Sequence, residues 1–292
     1  MDAVRTVYEI ARKEVLQAIR TKRLLVIGLV LVFLLVMVTL VFGPGVTRNA
    51  TFTGVSKEHV VLVFYFAIGL IGGLQFTQLL AIVITGDAIC SEWSNRTIFL
   101  LLSKPVSRTS FVLGKFAGAA VTVCGTLAVL FTLDYLLMQP FYSGSPSGVE
   151  VAGFFGMLGI VLLGALAFAA LSLFISTLTR STVMSILLVL ALWLILFPIL
   201  GNIGFFGELG RSNPDLGSDR VDAWRYINPA ADMQTGARLL IPKGSDLGDA
   251  VTFLNVFQTA PKHVEVAILA LLAHIVVWVG LALLVVRRRN FE

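Results

Sequence analysis

Apolar residues in this chain come in long unbroken runs, not in strict alternation and not in the narrow stripe of a soluble helix. Six runs have the length that crosses a bilayer core, which takes roughly 20 helical residues: Leu24–Phe42, Val60–Gly86, Phe116–Leu133, Val151–Leu178, Thr182–Phe206 and Val264–Val286. The pattern predicts an all-α polytopic membrane protein with six transmembrane helices in one domain over residues 1–292. The third run is rich in small residues (Gly118, Ala119, Ala120, Thr122, Gly125), which let backbones approach closely and place that helix inside the bundle. Only Thr179, Arg180 and Ser181 separate the fourth and fifth runs, which predicts a tight turn between antiparallel helices over one continuous buried helix. Pro198 and Gly201 interrupt the fifth run near its far end and predict a bend there.

Three stretches break the pattern. Over residues 3–23, Val4, Val7, Tyr8, Ala11, Val15, Ala18 and Ile19 recur at helical spacing, with Arg5, Glu9, Arg12, Lys13 and Arg20 on the other side. This predicts an amphipathic helix lying in the membrane interface; a soluble helix packed on another protein is the alternative. Residues 87–115 carry Asp87, Glu92, Arg96 and Lys104, which a span would not tolerate, yet also Phe99-Leu100-Leu101-Leu102, which a solvated loop does not need. The reading is a short helix over Ala88–Trp93, a turn at Asn95-Arg96-Thr97, an apolar return over Ile98–Leu102, a stop at Pro105, and Ser107 or Thr109 capping the next helix. Residues 207–263 form the longest polar region. Asn228-Pro229 is a helix start there, with Asn as cap and Pro in the first turn. Ala230, Met233, Ala237 and Leu240 share one face and Pro242 ends the run. A second amphipathic piece is expected over Asp249–Gln258. Short helices lying on the outer membrane surface are the expectation for this region.

Charge sets the orientation. With the N-terminus inside, 14 of the 22 basic residues but only six of the 17 acids fall on the inner side. The inner side is then net positive by eight and the outer side net negative by three. By the positive-inside rule both termini are cytoplasmic, residues 87–115 are a cytoplasmic loop and residues 207–263 an outer loop. Arg287-Arg288-Arg289 closes the last run as an inner stop that also suits anionic lipid. The first 23 residues hold six basic and three acidic residues and lead into a run too long for a signal-peptide core, so they read as retained, not cleaved. Composition agrees with lipid as the solvent: 57% of residues are hydrophobic and 13% charged, with mean hydropathy +0.92. The net charge of +5, placed this way, points to a membrane surface and not to nucleic acid. Cys90 and Cys124 are too few for a disulfide framework and read as free thiols.

Glu92, Thr97, the stretch Leu100-Leu101-Leu102-Ser103-Lys104-Pro105-Val106-Ser107-Arg108 and Gly114-Lys115 resemble the cytoplasmic loop of ABC-2-type transporter permeases. The resemblance is greatest to the subgroup containing the permease of the nitrous-oxide-reductase maturation system. Ala11-Arg12-Lys13-Glu14 and Asn228-Pro229 fit the same family. The resemblance implies a homodimer of six-span subunits in the plasma membrane, each docked on a separate cytoplasmic ABC ATPase, and an exporter in function. Asp87, Glu92, Trp93, Ser94, Asn95, Arg96 and Thr97 would then form the coupling helix and turn that insert into a groove of the ATPase. Two positions depart from the family pattern: Ser94 stands where a second acid is frequent, and Arg96 where Gly often precedes the Thr. No cofactor is expected on this chain. It contains no G-x-x-x-x-G-K-[ST] to cradle nucleotide phosphates, so ATP and magnesium are expected on the ATPase and no enzyme activity here.

Other polar residues inside the runs are candidates of a second kind. Gln75 and Gln78 lie three apart on one face of the second span, either lining a translocation pathway or bonding to a neighbouring helix. His274 sits mid-way along the sixth span, as a pathway residue or a neutral hydrogen-bonding one. Asp134 is expected to face outer water. No His or Cys pair has metal-ligand spacing, so no metal site is expected. Two other classes remain open: an intramembrane enzyme using His274, Glu265 or Asp134, and a receptor or scaffold that signals to an ATPase without transport. Glu265 and His274 are too far apart along one helix, and on opposed faces, to act together.

Overall fold

The computed structural model describes residues 3–21, 24, 26–33, 36–37, 74–94, 107–138, 148–196, 226–237 and 264–288. Among the described residues the regular structure is entirely helical. The elements are α1 (Ala3–Arg20), α2 (Leu74–Thr85), α3 (Cys90–Ser94), α4 (Arg108–Met138), α5 (Gly148–Leu178), α6 (Thr182–Ala191, running into a π-helical turn at Leu192–Leu196), α7 (Pro229–Ala237) and α8 (Val264–Arg288). Described residues between 24 and 37, within the first apolar run, are helical too. Among the described residues, three helices are long and apolar enough to cross a membrane: Arg108–Leu137, Val151–Leu178 and Glu265–Arg288. Thr182–Ile195 is a shorter apolar helix.

Helix α5 is the hub. Of its apolar stretch 72% is buried, against 11% for α8, so α5 sits at the centre and α8 turns most of its surface outward. Ala165, Ala167, Phe168, Ala169, Ala170 and Leu171 of α5 are fully buried. Small residues there let α2, α4, α7 and α8 close around it. The expected break between α5 and α6 is present: α5 ends at Leu178, α6 begins at Thr182, and Arg180 and Ser181 are exposed. Helices α2 and α6 run antiparallel. A Cβ on Gly86 would lie 3.0 Å from the Ile186 side chain, and eight residues earlier Trp193 Nε1 donates to Gln78 Oε1.

Helix α4 starts at Arg108, as a cap at Ser107 or Thr109 requires, and continues through the apolar run from Phe116 as one helix with a polar lower part and an apolar upper part. Ser107 caps it, accepting from Ser110 N–H at 3.1 Å. Helix α7 does not lie on the rim of the bundle. Met233 is fully buried against Gly164, near the middle of Val151–Leu178. Gly236 faces Ile160 of α5 and Ile268 of α8. The apolar face read as a surface-lying stripe is spent on α5, where Gly164 has no side chain to hold it off. Asn228 does cap α7, its Oδ1 accepting from Ala230 N–H at 3.0 Å.

The expected turn and apolar return over 95–106, the bend at Pro198 and Gly201, the amphipathic piece at 249–258, part of the first span and residues 60–73 of the second span lie outside the described residues.

Candidate functional site

The short helix α3 is held in place by five other parts of the chain. Gly86 follows the last turn of α2, its N–H donating to Ile82 O at 2.8 Å; the chain then turns over residues 86–89 into α3. A short helix leaves its first N–H groups without partners. Here Ser176 of α5 supplies one: its Oγ accepts from the N–H of Ile89 at 3.0 Å and of Cys90 at 2.9 Å. Ile89 itself is buried with Phe111 and Val112 of α4, Leu173 of α5, and Ala282 and Val286 of α8. The same end of the bundle is closed by Arg108, whose guanidinium donates to the carbonyls of Val286 and Arg287 at 3.4 and 3.1 Å. That interaction satisfies orphan acceptors at the C-terminus of α8.

Beneath α3 lies a buried charge cluster. Lys115 of α4 is only 4% exposed. Its Nζ stands 2.8 Å from Glu92 Oε1 on α3 and 2.8 Å from Glu14 Oε1 on α1. Lys13 adds a second ammonium 3.7 Å from the same Glu92 oxygen. Two cations and two anions thus meet where α1, α3 and α4 converge. A buried ammonium survives only when paired and hydrogen-bonded, and here one ammonium joins two helices to a third. The approach of α1 is made possible by glycine. A Cβ on Gly114 would come within 2.7 Å of Ile10 Cβ, and one on Gly118 within 2.6 Å of Glu14 Cβ. These glycines stand four apart on one face of α4 and bracket Lys115.

The residues expected to form a coupling turn are therefore not all presented outward. Glu92 points inward, its side chain 10% exposed. Asp87 is half-buried on the turn before α3, and Ser94 is exposed. Trp93 is half-buried, with the Arg180 guanidinium 5.8 Å from its ring centre. Asn95, Arg96 and Thr97 lie outside the described residues. Glu14, Lys115 and Ser176 carried no expectation of a role in this site, nor did Lys13 and Arg180. The spacing of Gly114 and Gly118 was the sequence signal for the first two; a serine in an apolar helix gives none.

Gln78 is buried and tied to Trp193 of α6, an interhelical bond at the centre of the bundle; the Gln75 side chain lies outside the described residues. His274 faces α7. Its Nε2 is 3.0 Å from Tyr226 O and 3.4 Å from Asp232 Oδ2, and the Asp232 side chain is 2% exposed. Glu265 is exposed, away from this pair. Asp134 is buried, not turned to water, because α4 continues past it to Met138. Among the described residues, no three His, Cys, Asp or Glu gather as a metal-ligand set.

The family model described as ABC-2 family transporter protein matches residues 8–290. A protein of Pseudomonas aeruginosa named "Probable ABC transporter permease protein NosY" is 26% identical over 277 residues, covering 95% of this chain and 94% of its own length. The protein of the same name from Stutzerimonas stutzeri is 27% identical over 283 residues, 95% of each chain.

Proposed function

Because the chain belongs to the ABC-2 transporter family, we propose that it is the membrane permease of an ATP-driven exporter, working as a homodimer with each copy docked on a separate cytoplasmic ATPase. Six spans carry it across the plasma membrane with both termini inside, and the end of the bundle bearing α1 and α3 is the cytoplasmic end. Glu92, Trp93 and Ser94, with Asp87 before them and Asn95, Arg96 and Thr97 after, form the coupling segment. ATP and magnesium act on the ATPase and not on this chain.

The observation that carries this reading is the anchoring of α3. A five-residue helix has no stability of its own. This one is joined to α1 and α4 through Lys115, to α5 through Ser176, and to the α5–α6 turn through Trp93 and Arg180. A push on α3 is delivered to helices on every side of it, which a loop with no mechanical duty would not need. Gln78, Gln75 and His274 remain the candidates for residues near a translocation route, the first acting through its bond to α6.

The test is purification of the tagged full-length chain from membranes of its own host. Wild type should retain an ATPase subunit, and a variant with Cys90–Ser94 replaced by Gly and Ser should lose it. Wild type that comes out monodisperse and without any ATPase sinks the reading. A receptor that signals without transport is separated by ATP-dependent flux in vesicles containing both subunits.

A further inference from the structure

We infer that the surface this chain offers to its ATPase is basic, built by Lys13 and Arg180 on either side of α3, and that the groove receiving it is acidic; the inference rests on the docking reading above. The acid that the coupling position provides is already consumed within the chain. Glu92 Oε1 holds Lys115 at 2.8 Å and Lys13 at 3.7 Å. Drawing it out to meet a cation on the partner would leave Lys115, buried to 4% exposure, with Glu14 as its only carboxylate in the cluster. Breaking such a buried pair is costly.

What faces outward has the opposite sign. On one side of α3 the Lys13 side chain is 54% exposed. On the other, Arg180 is exposed on the α5–α6 turn with its guanidinium against Trp93. Arg and Trp together are the chemistry that concentrates binding energy at protein interfaces. The described acids on this side are Glu9, exposed one turn before Lys13, and Asp87, half-buried. Arg5, Arg12 and Arg20 of α1, all exposed, outnumber them. Anionic lipid would also attract the cations of α1, which exposes Val4, Tyr8, Leu16 and Ile19 beside them, but α3 itself lacks the apolar outward face that a helix lying in lipid needs. The exposed end of α3 is Ser94, with Ser91 half-buried one turn before it, which suits a polar protein groove.

The experiment measures ATPase affinity for the full-length chain in nanodiscs of phosphatidylcholine alone, with thermal unfolding to confirm folding. Arg180→Glu should weaken binding about tenfold or more, a change of about 1.4 kcal/mol; Arg180→Lys should restore most of it. Raising salt should weaken the wild type more than the variant. If Arg180→Glu does not fold, the milder pair Arg180→Gln and Lys13→Gln serves, with the same sign expected. Affinity within twofold of wild type for every variant, while wild type still binds, overturns the basic-surface inference and leaves the transporter reading standing. Loss that occurs only when anionic phosphatidylglycerol is in the disc assigns the surface to lipid and also overturns it. Wild type that binds no ATPase removes both.

Discussion

At the scale of single residues, Lys115 is the position where the largest effect is expected. Its ammonium touches both Glu14 and Glu92 at 2.8 Å, and it belongs to the helix that the other two lean on. Lys115→Met keeps most of the length of the side chain and removes the charge, leaving two carboxylates close together with the more exposed Lys13 3.7 Å from Glu92. Removing one member of a buried pair costs about 3–5 kcal/mol, so the variant should unfold at a markedly lower temperature in detergent. Lys115→Arg should recover much of that loss, since it keeps the charge. Equal melting temperatures for wild type and Lys115→Met would show that water reaches the cluster and that the carboxylates are solvated.

At the scale of elements, α7 shows how a local signal and a tertiary destination separate. Asn228-Pro229 states its helix start in two residues, because capping is a matter of the residues next to the helix. Where the helix goes depends on Gly164, on another part of the chain, and α5 is apolar on all sides, so its sequence does not say which face receives what. His274 was likewise legible as an unusual residue, but its pairing with Asp232 was not, because an acid in a polar stretch draws no notice. The same distinction holds for α4. Its cap at Ser107 could be read, whereas the apolar run alone put its start at Phe116, since hydropathy marks where lipid begins and not where the helix does. The docking of α7 yields its own prediction. A Cβ on Gly164 would displace the flexible Met233 thioether and press on Met233 Cγ and Cβ at 3.0 and 3.3 Å, and the larger side chain of Gly164→Leu would extend further into the space that the fully buried Met233 fills. Overpacking of this kind costs about 1–3 kcal/mol, and α7 should be displaced from α5 and His274. Hydrogen exchange reads it: the Asp232 amide, now bonded to Asn228 O at 3.0 Å, should exchange faster in the variant. Unchanged protection would mean that α7 is held by contacts other than Met233.

At the scale of the whole molecule, residues far apart in sequence gather their charge at one end. Lys13 on α1, Arg108 and Lys115 on α4, and Arg180 beyond α5 all surround α3 or close the C-terminus of α8. Glu265 stands at the opposite end of α8, and α7 docks between. Along α8, exposed Leu269, Val276, Val277 and Leu284 present an apolar surface that requires lipid or another protein surface over it. The apolar flank fits a bilayer either way up; it is the charge end that favours the orientation proposed above, with the basic end in the cytoplasm. It can be checked without knowing the transported substrate. Ser94→Cys is exposed on α3 and Glu265→Cys is exposed at the start of α8, while native Cys90 is buried and Cys124 lies within the apolar part of α4. A membrane-impermeant maleimide should therefore label Glu265→Cys in intact cells and Ser94→Cys only after the membrane is opened. Labelling of Ser94→Cys from outside would invert the molecule. It would also place α3 where no cytoplasmic ATPase could reach it, so orientation and coupling stand or fall on the same reagent.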